Sequence, residues 1–238
     1  MTDDNPLYFR QLLAGRDFAR SNTVAAQMVN FCYLIGDRTS GECVVVDPAW
    51  DVAGLVRVAR GDEMEVVGAL ATHYHPDHVG GDLFGHSIEG VAELQSVKAI
   101  PVHCHKNEAM GIKVVTGLSD SDLVLHDGGD RIRVGDVEIL LIHTPGHTPG
   151  SHCFLVDGRL VSGDTLFTQG CGRVDLPGGD PEEMYQTLTQ RLAKLPPETI
   201  LYPGHNYGSA PTSTMEEQYA ANYALQPKSL DDWLRLMG

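Results

Sequence analysis

Thr72-His73-Tyr74-His75-Pro76-Asp77-His78-Val79-Gly80-Gly81 is the stretch whose reading decides the fold of this 238-residue chain. It follows the apolar run 66–71, which reads as a buried strand. His73 and His75 stand two apart at the strand's end, so both imidazoles can face one point. Asp77 and His78 come from the turn that follows and can aim at a neighbouring point. Neutral imidazole and carboxylate are donors suited to Zn²⁺, Fe²⁺ or Mn²⁺. A lone histidine is more often a core or surface residue. Three histidines and an aspartate within one short turn read as a ligand set.

Outward from this stretch, three more strand ends carry the same residue types. His147 stands in Thr144-Pro145-Gly146-His147-Thr148-Pro149-Gly150-Ser151, after the run 137–142. Asp164 stands in Ser162-Gly163-Asp164-Thr165-Leu166, after the run 160–162. His205 stands in Tyr202-Pro203-Gly204-His205-Asn206-Tyr207, after the run 199–202. α/β sheets carry their sites at the C-terminal ends of strands, and four such ends in one chain make coincidence a poor account. Further strand-like runs are 28–35, 43–46 and 153–156. Helical spacing is clearest over 181–195, where Met184, Leu188, Leu192 and Leu195 share a face behind acidic Glu182-Glu183. Residues 51–60, 215–225 and 230–237 are further helix candidates. Strands interspersed with helices predict an α/β layered fold. No repeat or linker splits the chain, so 1–238 reads as a single domain. The less periodic stretch within 82–121 reads as a lid or insertion, and 211–238 as a short helical tail.

Composition narrows the function classes. Lys and Arg total 17 against 32 Asp and Glu, a formal charge of −15. Phosphate recognition needs an electropositive footprint, so nucleic acid is a poor partner. The five cysteines (Cys32, Cys43, Cys104, Cys153, Cys171) are odd in number and scattered without a CxxC. That is the usage of a reducing compartment. The acidic opening Met1-Thr2-Asp3-Asp4 starts no secretory signal, and no apolar run approaches the roughly 20 residues of a spanning helix. The expectation is a cytoplasmic protein with a small-molecule substrate and no membrane partner, with a homodimer left open.

HYHPDHVGG, TPGHTPGS, SGDTLF and YPGHNYG together resemble the ligand set of the metallo-β-lactamase superfamily, over about residues 20–210. The resemblance implies an αβ/βα four-layer sandwich with the site at one edge of two facing sheets. It implies that His73, His75 and His147 hold one metal, that Asp77, His78 and His205 hold a second, and that Asp164 bridges. Zinc is the first expectation for both, with iron or manganese as alternatives. An Asp at position 164, with Gly170-Cys171-Gly172-Arg173 after it, is similar to glyoxalase II and to the persulfide dioxygenases. Tyr207 matches a Tyr that contacts glutathione in glyoxalase II. Val174-Asp175 stands where glyoxalase II has an aromatic pair, and 33 residues follow His205, too few for its helical substrate domain. DLPGGD, Asp175 to Asp180, is shared with bacterial hydrolases of unassigned activity.

The resemblance implies a hydroxyacylglutathione hydrolase-like enzyme that cleaves a thioester or ester with metal-bound hydroxide. The alternative is an iron-dependent persulfide dioxygenase, with lactonase or β-lactamase activity behind both. A GxSxG elbow is absent, in keeping with a metal-activated water. Asp77 is assigned a catalytic role beside its place among the ligands, orienting the water. Arg173 is a candidate clamp for a substrate carboxylate, and a structural ion pair with a loop Asp is its other reading. Tyr207 and Cys171 are candidate substrate contacts, and a glutathione conjugate is a candidate substrate. His103-Cys104-His105 has metal-like spacing but no partner motif, and is read as non-ligand. His86, His126, His143 and His152 receive no role.

Overall fold

The computed structural model describes residues 5–237; Met1–Asp4 and the signal-sequence argument built on them lie outside the described residues. The chain begins with β1 (Leu7–Leu13), α1 (Thr23–Met28), β2 (Phe31–Asp37), β3 (Glu42–Val46), α2 (Val52–Gly61) and β4 (Glu65–Leu70). The short helix α3 (Pro76–Val79) and a hairpin of β5 (Gly81–Leu83) and β6 (His86–Ile88) follow. Next come α4 (Val91–Val97), β7 (Val102–His105), α5 (Ala109–Thr116) and β8 (Leu123–His126). The rest of the chain supplies β9 (Arg131–Val134), β10 (Val137–His143), β11 (His152–Val156), β12 (Arg159–Gly163) and α6 (Pro181–Gln186). It ends with β13 (Ile200–Pro203), β14 (Ser213–Thr214), α7 (Met215–Ala221) and α8 (Leu230–Met237).

These strands build two six-stranded sheets, ordered β1-β2-β3-β4-β7-β8 and β14-β13-β12-β11-β10-β9, with the β5–β6 hairpin apart from both. Period-2 alternation decides which side chains go where. On β3, Val44 and Val46 pack with Ile139, Leu141, Phe154 and Val161 between the sheets. Cys43 and Val45 point the other way, into a layer shared with Leu55 of α2 and Ile112 of α5. The second sheet does the same: Leu160 and Leu201 meet Met184, Leu188 and Trp233 on its outer face. Helix, sheet, sheet and helix thus stack as the αβ/βα sandwich. No helix among the described residues is long and apolar enough to cross a membrane, and all five cysteines are free thiols.

Four expectations need adjustment. The stretch 82–121 is not one insertion: β7 lies inside the first sheet between β4 and β8, and Leu94 of α4 and Ile112 of α5 are buried in its outer layer. Among the described residues only the hairpin joins neither large sheet, and its Ile88 is still buried in the same outer layer. The run 28–35 becomes strand only at Phe31, because Val29 turns left-handed (φ 50°) and ends α1. The helix read over 181–195 starts on its Asp180 cap and Pro181, but passes into a π turn at Thr187–Arg191 and a 3-10 turn at Leu192–Lys194. The tail 211–238 is not wholly helical: β14 adds an edge strand to the second sheet before α7 and α8, and Trp233 of α8 is fully buried and donates to Pro181 O at 2.6 Å.

Candidate metal centre

β4, β10, β12 and β13 each hand over to a site loop at their C-terminal ends. His73, His75, Asp77, His78, His147, Asp164 and His205 converge there, nearly all of them shut off from solvent. Three sets bring their donor atoms within 4.8 Å of one another: His73, His75 and His147; His73, His78 and Asp164; and Asp77, His78 and His205. Asp164 lies between the groups, 3.3 Å from His78 Nε2, 3.5 Å from His205 Nε2 and 3.7 Å from His147 Nε2. Gly204 makes room for it, since a Cβ there would meet Asp164 Oδ1 at 2.4 Å.

Contacts behind the cluster set which nitrogen faces inward. His205 Nδ1 donates to Met28 O at 2.8 Å, and His147 Nδ1 to Arg173 O at 2.6 Å. His78 Nδ1 is held by Asp47 Oδ2 at 2.9 Å. Thr72 Oγ1 donates to the same Asp47 oxygen at 2.7 Å, so it accepts from His73 Nδ1 at 2.9 Å. Nε2 of all four rings is thereby turned toward the centre, the orientation that metal-binding histidines use. His75 differs: its Nδ1 faces inward, 3.0 Å from His147 Nε2.

Among the described residues two inward atoms are buried without a well-formed hydrogen bond, His73 Nε2 and Asp164 Oδ1, the latter facing His78 Nε2 at 3.3 Å. Such orphans cost free energy unless something else satisfies them. A divalent cation does so for imidazole and carboxylate together, so the residues present fit a metal. The electrostatics divide the cluster. Burial, and then the neighbouring imidazoles, push His73 well down and His75 down to about 4, leaving both neutral. Burial works against charge on Asp164 too, yet His205 and His78 hold its carboxyl well below the usual range. Against the same burial, Asp164 and Asp77 raise His205 to about 9 and His78 well above its usual value.

A cavity of about 540 Å³ opens from the cluster, lined by His75, Asp77, His147, Asp164 and His205 at its polar end. Tyr207 lines it, stacked on His205 with centroids 4.6 Å apart. Cys171 lines it as a neutral thiol, pushed up to about 12 by burial. Arg173 also lines it. Its guanidinium is forked onto Asp175 at 2.9 and 2.7 Å, and its backbone carbonyl fixes His147. The ion-pair reading is the one the geometry shows.

Four residues that matter here were not singled out from sequence. Asp47 anchors two imidazoles as described. Asn30 donates to Asp77 Oδ2 at 3.0 Å and accepts from Trp50 Nε1 at 3.1 Å. Thr72 relays Asp47 to His73. Glu108 accepts from the backbone N–H of Tyr74 at 2.8 Å and of Gly150 at 2.7 Å, tying two site loops together. Asp47 alone carried a readable signal, a carboxylate directly after an apolar strand.

This geometry agrees with what comparison finds. The metallo-beta-lactamase superfamily profile matches residues 27–205. The chain is 30% identical to the probable polyketide biosynthesis zinc-dependent hydrolase BaeB of Bacillus velezensis, covering 83% of this chain and 82% of that one. It is 36% identical to the hydroxyacylglutathione hydrolase of Aeromonas hydrophila (87% and 72% covered). It is 30% identical to the human mitochondrial persulfide dioxygenase ETHE1 (87% and 76% covered). Among solved structures, ETHE1 from Myxococcus xanthus superposes with a TM-score of 0.79 at 26% identity, over 97% of this chain and 89% of that one. With the His/Asp cluster at the edge of two facing sheets and the profile spanning it from end to end, the chain belongs to the metallo-beta-lactamase superfamily.

Proposed function

We propose that the protein is a cytoplasmic, metal-dependent hydrolase that cleaves a thioester or ester with an activated water. His73, His75 and His147 would hold one divalent ion, Asp77, His78 and His205 a second, and Asp164 would reach both. Zinc suits this donor set, and iron or manganese are accommodated by it. When bound, such a pair supplies a Lewis acid for the carbonyl oxygen and a water that ionises near neutral pH. The observation that carries the reading is the pattern of bare atoms: Nδ1 of four imidazoles is tied down while the inward His73 Nε2 and Asp164 Oδ1 have no well-formed hydrogen bond among the described residues.

The chain's own groups do the rest. Asn30 fixes Asp77 through Oδ2, leaving the other carboxylate oxygen to orient the attacking water, and we assign Asp77 as the catalytic residue. The water oxygen bonds to the acyl carbon, the C–S bond breaks, and the thiolate departs with its electron pair and is protonated. A carboxylate and a thiol result. Cys171 offers no competing nucleophile while its thiol stays protonated. The zinc-dependent hydrolase and hydroxyacylglutathione hydrolase among the relatives support this reading. The likeness to persulfide dioxygenase supports a second one, iron-dependent oxidation of a glutathione persulfide. One experiment separates them. Zinc- or manganese-loaded protein should hydrolyse S-lactoylglutathione or a simple thioester with no oxygen uptake. Oxygen consumption on addition of glutathione persulfide, with iron and not with zinc, would overturn the lead reading.

A further inference from the structure

Among the described residues the β5–β6 hairpin pairs only with itself, Leu83 opposite His86. It ends on Phe84, whose surface is 95% exposed. Phe84 and Gly85 both take left-handed backbone, φ 52° and 82°, the pair of positive angles that a two-residue type I′ turn requires. Asn-Gly is the sequence such a turn favours, and a bulky residue at its first position is disfavoured by Cβ crowding. A hairpin that only had to turn has no use for phenylalanine, and this ring contributes almost nothing to the core.

The ring has a place in the cavity instead. Phe84 and Leu83 line the same space as the metal-centre side chains. With Met28, Phe167, Leu176 and Pro177 they give it an apolar wall. Arg173 is the sole lining side chain with a permanent positive charge among the described residues, and Asp175 already occupies it. The chain as a whole carries −15. A polar or multiply anionic substituent finds little to hold it away from the metals, whereas an apolar one finds most of the lining. We infer that this cavity takes an apolar acyl chain, with its carbonyl at the His/Asp cluster and with Phe84 and Leu83 on the hairpin as the specificity-determining contacts. This names the substrate class of the proposed hydrolase and rests on that reading.

The test uses zinc-reconstituted protein and two matched series. Acetate, butyrate, hexanoate and octanoate are titrated calorimetrically, and the N-acetylcysteamine thioesters of the same acids are assayed for hydrolysis. Affinity should rise about 3- to 4-fold for each added CH₂. Phe84→Ser should weaken octanoate by about 10-fold more than it weakens acetate, and Phe84→Leu should recover most of that loss. KM for the octanoyl thioester should follow the same order, with kcat moving little. Affinities that do not depend on chain length, or a Phe84→Ser effect equal for acetate and octanoate, would overturn the inference. Chain-length-dependent binding without turnover of any thioester would uphold the acyl site and sink the hydrolase reading. Turnover of every thioester with one common KM would do the reverse.

Discussion

His73, His75, His78, His147 and His205 gather at the strand ends, while His103, His105, His126, His143 and His152 gather between β7–β8 and β10–β11. Both groups are five histidines, buried or half-buried, and both have rings within 4–5 Å of one another. The first shares the carboxylates of Asp47, Asp77 and Asp164. The second has His126 facing Asp130 at 3.4 Å and otherwise pairs imidazole with imidazole or backbone. His103 Nδ1 lies 2.9 Å from His126 Nε2, His105 stacks on His143 with centroids 4.0 Å apart, and neither nitrogen of His152 has a partner. Among the described residues none of the five joins a set of three donor atoms within 4.8 Å. Histidine density therefore does not make a metal centre; carboxylates and an outer layer that turns ring nitrogens inward do.

The largest effects should fall on the first group alone. His147→Ala should remove one ion and His205→Ala should weaken the other, each lowering thioester hydrolysis by at least about 100-fold, of the order seen when one transition-state contact is lost. His105→Ala should leave metal content at the level of the unaltered protein. Elemental analysis and initial rates on the three variants check this; equal losses would erase the distinction between the groups.

Glu108 stands between the two regions. Its carboxyl accepts the Tyr74 and Gly150 amides, and burial raises its pKa to about 7. Glu108→Ala strands two buried donors and should cost about 2–4 kcal/mol in urea unfolding. A cost near zero would mean the loops hold themselves. Asp47→Ala frees His78 and the Thr72–His73 relay, and should weaken metal binding by about 10- to 100-fold without unfolding the chain. Competition against a chromogenic chelator measures it.

The smallest effect tests the second group. Burial, then His105 and His143, push His152 down to about 3, against about 6.5 in the unfolded chain. The unfolded state therefore binds the extra proton as pH drops through that interval, and folding stability falls on acidification. One such group contributes up to about 1.4 kcal/mol per pH unit. His152→Leu should flatten the stability profile between pH 6.5 and 4 and raise stability at pH 7 by about 1 kcal/mol, since it removes an unsatisfied imidazole. An unchanged slope would show that His152 is not titrating with unfolding.

The seven cluster residues were legible because each follows an apolar strand and belongs to a ligand residue type. β3, β4, β10, β11, β12 and β13 were visible for the same reason, each containing an uninterrupted run of apolar residues. β7 was not, because Val102-His103-Cys104-His105 alternates, putting Cys104 in the helix-facing layer and its two histidines on the other face. β1 carries Arg10 and Gln11 at a sheet edge, where polar residues break the apolar pattern. Asn30 and Glu108 escaped for a different reason: their partners lie far along the chain, as with Asn30 and His205, 175 residues apart. Contacts of that kind are set by topology and leave no local periodicity to read. Arg173 shows the converse, a residue type with two good readings in sequence whose side chain pairs with Asp175 two residues away.

Metal stoichiometry tests the central claim most directly. After reconstitution and removal of loose ions, elemental analysis should approach about two equivalents per chain, the count a paired site implies. The same count should survive joint replacement of His105 and His143 by alanine. A ceiling of one ion in the unaltered protein, or loss of an ion when only His105 and His143 are replaced, would contradict the account.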